Sequence, residues 1–146
     1  PPKLFIGSAE MPAQGRPNPD KILNKIKTGV DFFQTQYVFD ATILKEYMKV
    51  LDHSGILEKA SFIIGLGPFT SAKSAKWMND NLAGVEVPVE IIKRLKQAKD
   101  QKEESQKICL ELIQVFREIK GVHGVHIMGH NKEQVIAEII KESKKN

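Results

Sequence analysis

Short apolar runs that end in glycine or small polar residues alternate along this chain with stretches of three- and four-residue apolar spacing, and that alternation restricts the fold more than any single motif. Leu4-Phe5-Ile6-Gly7-Ser8-Ala9 reads as a strand. After a Pro/Gly-rich loop, Asn18-Pro19 offers a helix cap with proline at the first helical position; the helix should run to about Thr28, and Gly29 supplies a left-handed stop. Val30 to Gln36 is strand-like. Asp40 caps a helix that places Ile43, Leu44, Tyr47, Met48 and Leu51 on one face before stopping near Gly55.

The order then repeats. Ser61 to Gly65 is a strand, Leu66-Gly67-Pro68 a turn, and Ser71 opens a helix carrying Ala72, Ala75 and Met78. Beyond an Asn79 to Gly84 loop, Pro88 opens a short helix with Ile91, Ile92 and Leu95, and a long helix follows whose core face is Ile108, Leu112, Val115, Phe116 and Ile119. Gly124 to Met128 is the closing strand. The last helix starts at Asn131, which with Gln134 has capping-box spacing, and Val135, Ile136, Ile139 and Ile140 bury it.

Four strands each followed by a helix indicate an α/β protein with parallel strands. Four units make half of an eight-unit barrel and suit a small open doubly wound sheet equally well, a choice periodicity leaves open. At 146 residues, 41% hydrophobic and 27% charged, the chain should form one soluble globular domain. No run approaches the ~20 apolar residues of a membrane span, and Pro1-Pro2-Lys3 shows neither an initiator Met nor a signal peptide, so the start reads as internal to something longer. A single cysteine, Cys109, falls among apolar helical positions, which points to a reducing, cytoplasmic setting. The net charge of +4 is mild and no basic stripe is interleaved with aromatics, so nucleic acid is not an expected partner.

In either parallel architecture ligands bind at the carboxyl ends of the strands: Gly7 to Ala9, Thr35 to Tyr37, Gly65 to Pro68 and Gly129 to Asn131. Small residues there let a planar ligand approach the backbone. Gln36 offers a donor and an acceptor together, as the edge of a heterocycle requires, although a loop-capping role suits it too. His123, His126 and His130 lie close in sequence, but strand alternation turns His126 away from its neighbours; His126 reads as a buried, hydrogen-bonded histidine rather than a metal ligand. No nucleophile with its base, phosphate loop or metal motif is present, and Trp77 and Met78 read as packing residues.

One stretch is more specific. Gly29-Val-Asp-Phe-Phe-Gln-Thr-Gln-Tyr-Val-Phe-Asp40 resembles the Thr-Gln-x-x-Phe-Asp motif of methylenetetrahydrofolate reductases. Lys25 stands eleven residues before Gln36, and Ile64 to Pro68, Gly84 to Pro88 with Ile91 to Leu95, and Gly121 to Met128 follow in the family's order, so the resemblance spans nearly the whole chain. It implies a (β/α)8 TIM barrel of which residues 1–146 supply about the last four βα units, the C-terminal half. It further implies an enzyme that binds FAD and passes hydride from the reduced flavin to 5,10-methylenetetrahydrofolate or a related methylene-pterin, giving the 5-methyl form.

Under that resemblance Gln36 would contact the pterin, Lys132 the glutamate tail of folate, and Lys93 would stand where many members carry a folate-contacting glutamine. Gly7, Ser8 and Ala9 would line the flavin, with Asn18, Lys21, Asn24 and Lys25 at its phosphate and ribose portions. Two departures accompany this: the loop Glu10-Met-Pro-Ala-Gln-Gly-Arg16 lacks the family's His-Pro pattern, and the family's catalytic acidic residues belong to an N-terminal half that these residues do not include. No catalytic residue is therefore expected here. Partners would be that N-terminal half or another chain, with a nicotinamide cofactor or an electron-transfer partner as reductant, in an oligomer. The alternative is a non-catalytic half-barrel that dimerises as a binding or assembly module.

Overall fold

The computed structural model describes residues 2–12 and 16–145; part of the Glu10 to Arg16 loop, at positions 13–15, lies outside them. The chain runs β1 (Gly7–Glu10), α1 (Pro19–Lys27), β2 (Phe32–Tyr37), α2 (Ala41–His53), β3 (Ser61–Leu66), α3 (Ala72–Asn81), α4 (Val89–Gln97), α5 (Gln101–Arg117), β4 (Val122–Ile127) and α6 (Glu133–Ser143). All strand pairs are parallel and the sheet order is β1-β2-β3-β4. That order decides between the two architectures. Right-handed crossovers that always step the same way keep every helix on one face, whereas a doubly wound sheet reverses direction. The result is a partial (β/α) barrel.

The two faces differ accordingly. Phe33, Phe62 and Ile64 are completely buried beneath the helices, with the Phe33 and Phe62 rings stacked 5.1 Å apart. Helix residues Leu44, Met48, Leu51, Leu95, Ile113 and Phe116 close over them. The opposite face carries the registered set Ala9, Gln34, Ile63 and Gly124, then Gly65 beside His126, and no helix among the described residues packs on it.

Helix boundaries follow local chemistry. Asn18 Oδ1 accepts the Lys21 amide at 3.0 Å, and Asp40 Oδ1 accepts those of Thr42 and Ile43 at 2.7 and 3.2 Å. Ser71 and Ser74 exchange side-chain-to-backbone bonds in a capping box, and Gly29 and Gly55 take left-handed φ values of 107° and 66° after α1 and α2.

Several expectations are corrected. Leu4, Phe5 and Ile6 do not belong to β1: they are exposed, and the strand begins at Gly7. An edge strand has one neighbour, and the ladder with β2 starts only at Gly7 opposite Phe32. Val115 is exposed because the buried stripe of α5 centres on Ile108, Cys109, Ile113 and Phe116, and Ile140 is exposed beside buried Ile139. Trp77 is 56% exposed and packs into no core. Asn131 is in the left-handed region (φ 53°), so it cannot take the extended conformation of a cap; α6 begins at Glu133 with no side-chain cap.

Candidate functional site

Along the open face of β1 and β2, from their first residues to their carboxyl ends, runs a cleft of about 580 Å³, lined by Gly7 to Met11, Phe32 and Gln34 to Gln36. The register slips between Gln34 and Tyr37, so β2 bulges where its chain reaches the mouth. Thr35, which the sequence placed at this strand end beside Gln36, holds the bulge: its buried Oγ1 accepts the Gly65 amide at 2.8 Å and donates to Gln36 O at 2.8 Å. A Cβ at Gly65 would stand 2.5 Å from Thr35 O and 2.7 Å from Gln36 O, which is why this strand position carries no side chain.

Gln36 itself is half-buried. Its Nε2 donates to Ala83 O at 3.2 Å and its Oε1 accepts the Tyr37 amide at 3.0 Å. A carboxamide has two N–H donors and two lone pairs, so one of each is left for a ligand in the cleft.

A smaller cleft of about 200 Å³ adjoins it, lined by Ala9 to Met11, Arg16 to Asn18, Lys21, Lys25 and Tyr47. Lys25 does not hold its ammonium free there. Its Nζ donates to Glu10 Oε1 at 2.7 Å and to Ala9 O at 3.0 Å, and it lies 5.7 Å from the centre of the Phe33 ring. The other Glu10 oxygen accepts the Tyr47 hydroxyl at 3.1 Å. Burial, then the Glu10 charge and this hydrogen bond, push the Tyr47 phenol well above its usual range.

The remaining sequence-predicted residues separate. Gly7, Ser8, Ala9 and Gln36 meet in the larger cleft and Asn18, Lys21 and Lys25 in the smaller, while exposed Asn24 and Lys93 line neither. Lys132 sits at the start of α6, half-buried, with its ammonium on Pro68 O; burial lowers its pKa. It also bears on Cys109, whose thiol burial pushes up to about 12. His126 is half-buried rather than fully buried, and its Nδ1, sealed from solvent, finds no hydrogen-bond partner among the described residues; Gly65, its registered partner on β3, presents no side chain to it. Among the described residues no three His, Cys, Asp or Glu gather as for a metal ion, and no helix is long and apolar enough to cross a membrane.

A family model described as methylenetetrahydrofolate reductase matches residues 16–144, nearly the whole chain. The chain belongs to the methylenetetrahydrofolate reductase family. Among solved structures it is similar to an "Uncharacterized protein from Clostridium thermocellum" that "binds two copies of 5-methyl-5,6,7,8-tetrahydrofolic acid", with a TM-score of 0.68 and 20% identity over 98% of this chain and 55% of that one. The chain thus spans about half the length of that solved relative. No curated protein matches it significantly.

The family's flavin can be tested against these residues. In the larger cleft Ala9 leaves the strand backbone open to a flat ring system, whereas at Gly7 the Phe32 ring already lies where a side chain would stand. A phosphate group fits less well at Lys25, whose ammonium is already paired with Glu10.

Proposed function

We propose that this chain forms the folate-facing C-terminal half of a methylenetetrahydrofolate-reductase-like barrel and takes part, once the barrel is complete, in reducing a 5,10-methylene-pterin to its 5-methyl form. The observation that carries this reading is Gln36: a bulged strand end presents a half-satisfied carboxamide to a cleft whose strands bear glycine and alanine. One donor and one acceptor side by side complement the amide edge of a pterin. A flavin bound against Gly7 to Ala9 would supply hydride. The chain's own residues bind and orient: Gln36 fixes the ring in its plane, and Lys132, already partly desolvated, meets the carboxylates of the glutamate tail as a point charge.

Folate binding by the barrel completed with the other half is the direct test. Wild type should bind 5-methyltetrahydrofolate and Gln36→Glu should bind it at least tenfold more weakly; equal affinities would remove the reading. The isolated chain should show no reductase turnover until a second half-barrel is added. A second reading, a non-catalytic half-barrel that dimerises, is favoured by the bare sheet face and the unpaired outer edges of β1 and β4. A sedimentation mass of two chains together with absent folate binding would select it.

A further inference from the structure

We infer that Glu10 is a built-in counter-ion that closes the Lys25 position to outside anions, so that this end of the site selects a ligand without a phosphate group there. This rests on the placement of the proposed site but on none of its chemistry. The chain carries a glutamate at the last residue of β1, in the loop that departs from the family pattern, and β1 turns it toward the helices rather than toward the open face. There it meets two partners from different helices: Lys25 of α1 and Tyr47 of α2. With the Glu10 side chain only 15% exposed and that of Lys25 27%, the pair is partly sheltered from solvent.

The geometry leaves an arriving phosphate little to gain. Two of the three Lys25 N–H donors are occupied, by Glu10 Oε1 and Ala9 O. A phosphate oxygen brought to the same ammonium would lie beside the Glu10 carboxylate, and like charges at that separation repel strongly when partly desolvated. Tyr47 prevents the simplest escape. Its hydroxyl holds the second Glu10 oxygen, so swinging the carboxylate away to free Lys25 would break that bond as well. A neutral heterocycle in the adjoining cleft meets no such repulsion. Thus the same small cleft that looks basic from its list of lysines is, at Lys25, an internally neutral surface.

Inorganic pyrophosphate is the probe, titrated calorimetrically into the full chain, with circular dichroism confirming the fold of each variant. Wild type should show no Lys25-dependent binding. Glu10→Gln, which keeps an acceptor for Tyr47 and removes the charge, should bind pyrophosphate at least tenfold more tightly, and the gain should vanish in Glu10→Gln combined with Lys25→Ala. Glu10→Ala serves as the second variant and should gain in the same direction. Three results would overturn the inference: wild-type binding that Lys25→Ala abolishes, no gain in either Glu10 variant, or a gain that survives loss of Lys25. None of these measurements involves folate, so their failure leaves the folate reading standing, and loss of folate binding leaves this one standing.

Discussion

The two faces of the sheet are built from the same four strands and obey opposite rules. On the covered face Phe33 and Phe62 stack and Ile64 lies fully buried beyond them, so the side chains at the centre of that face are closely packed. On the open face the same register presents Gly7, Ala9, Gly65 and Gly124 between Phe32, Gln34, Ile63 and His126. A parallel sheet normally has both faces covered. The difference teaches that the packed core of this chain lies on one side of the sheet, while the other keeps mostly small and polar residues where a second core would be stronger.

The sharpest probe of that contrast compares adjacent positions. Phe62→Ala should destabilise the chain by about 3–5 kcal/mol in urea unfolding, while Ile63→Ala, one residue on but facing the other way, should cost less than half as much. Equal losses would mean that something covers the bare face after all. Next comes the bulge. Replacing Gln36 by Glu removes a donor, and the mismatch should cost ~1–3 kcal/mol of folate affinity in the completed barrel, with the melting temperature nearly unchanged. A large fall in melting temperature would make Gln36 a structural residue.

Two glycines on the bare face sharpen the comparison further. Gly65→Ala forces a methyl against the Thr35 and Gln36 carbonyls and should destabilise by ~1–3 kcal/mol, whereas Gly124→Ala meets nothing within 4 Å and should be stabilising by a few tenths of a kcal/mol. Thermal melts of the two variants check this directly. The smallest effect is alkaline. The Tyr47 pKa is raised above 10.0 in the fold, so its contribution is complete below that pH and is lost as pH climbs past it, when the unfolded chain gives up the proton first. Stability measured from pH 9 to 11 should fall less steeply in Tyr47→Phe than in wild type.

Much of this was legible locally. Asp40 and the Leu44, Tyr47, Met48, Leu51 stripe define α2 correctly, because a cap and a 3.6-residue period are short-range signals. The strand rhythm likewise identified the parallel α/β class. What stayed hidden depends on distance. β1 was read from Leu4 because hydrophobicity does not reveal where a partner strand begins, and the exposure of Val115 and Trp77 follows from how helices are turned on the sheet. Glu10 and Lys25 are fifteen residues apart and Glu10 and Tyr47 thirty-seven. No periodicity links them, so the sequence offered Lys25 as a free cation and said nothing of its counter-charge.

Cys109 gives the molecule a silent clock. Fully buried on α5 and with its thiol raised to about 12, it presents no thiolate to a reagent while α5 stays seated. Labelling can then proceed only through excursions that lift that helix from β4 and its neighbouring helices, so the rate of thiol modification at neutral pH counts those openings, residue-specifically and without an added probe. Any ligand or second half-barrel that settles on the far face of the same sheet would be heard as a slowing of that clock, even though it never touches the cysteine.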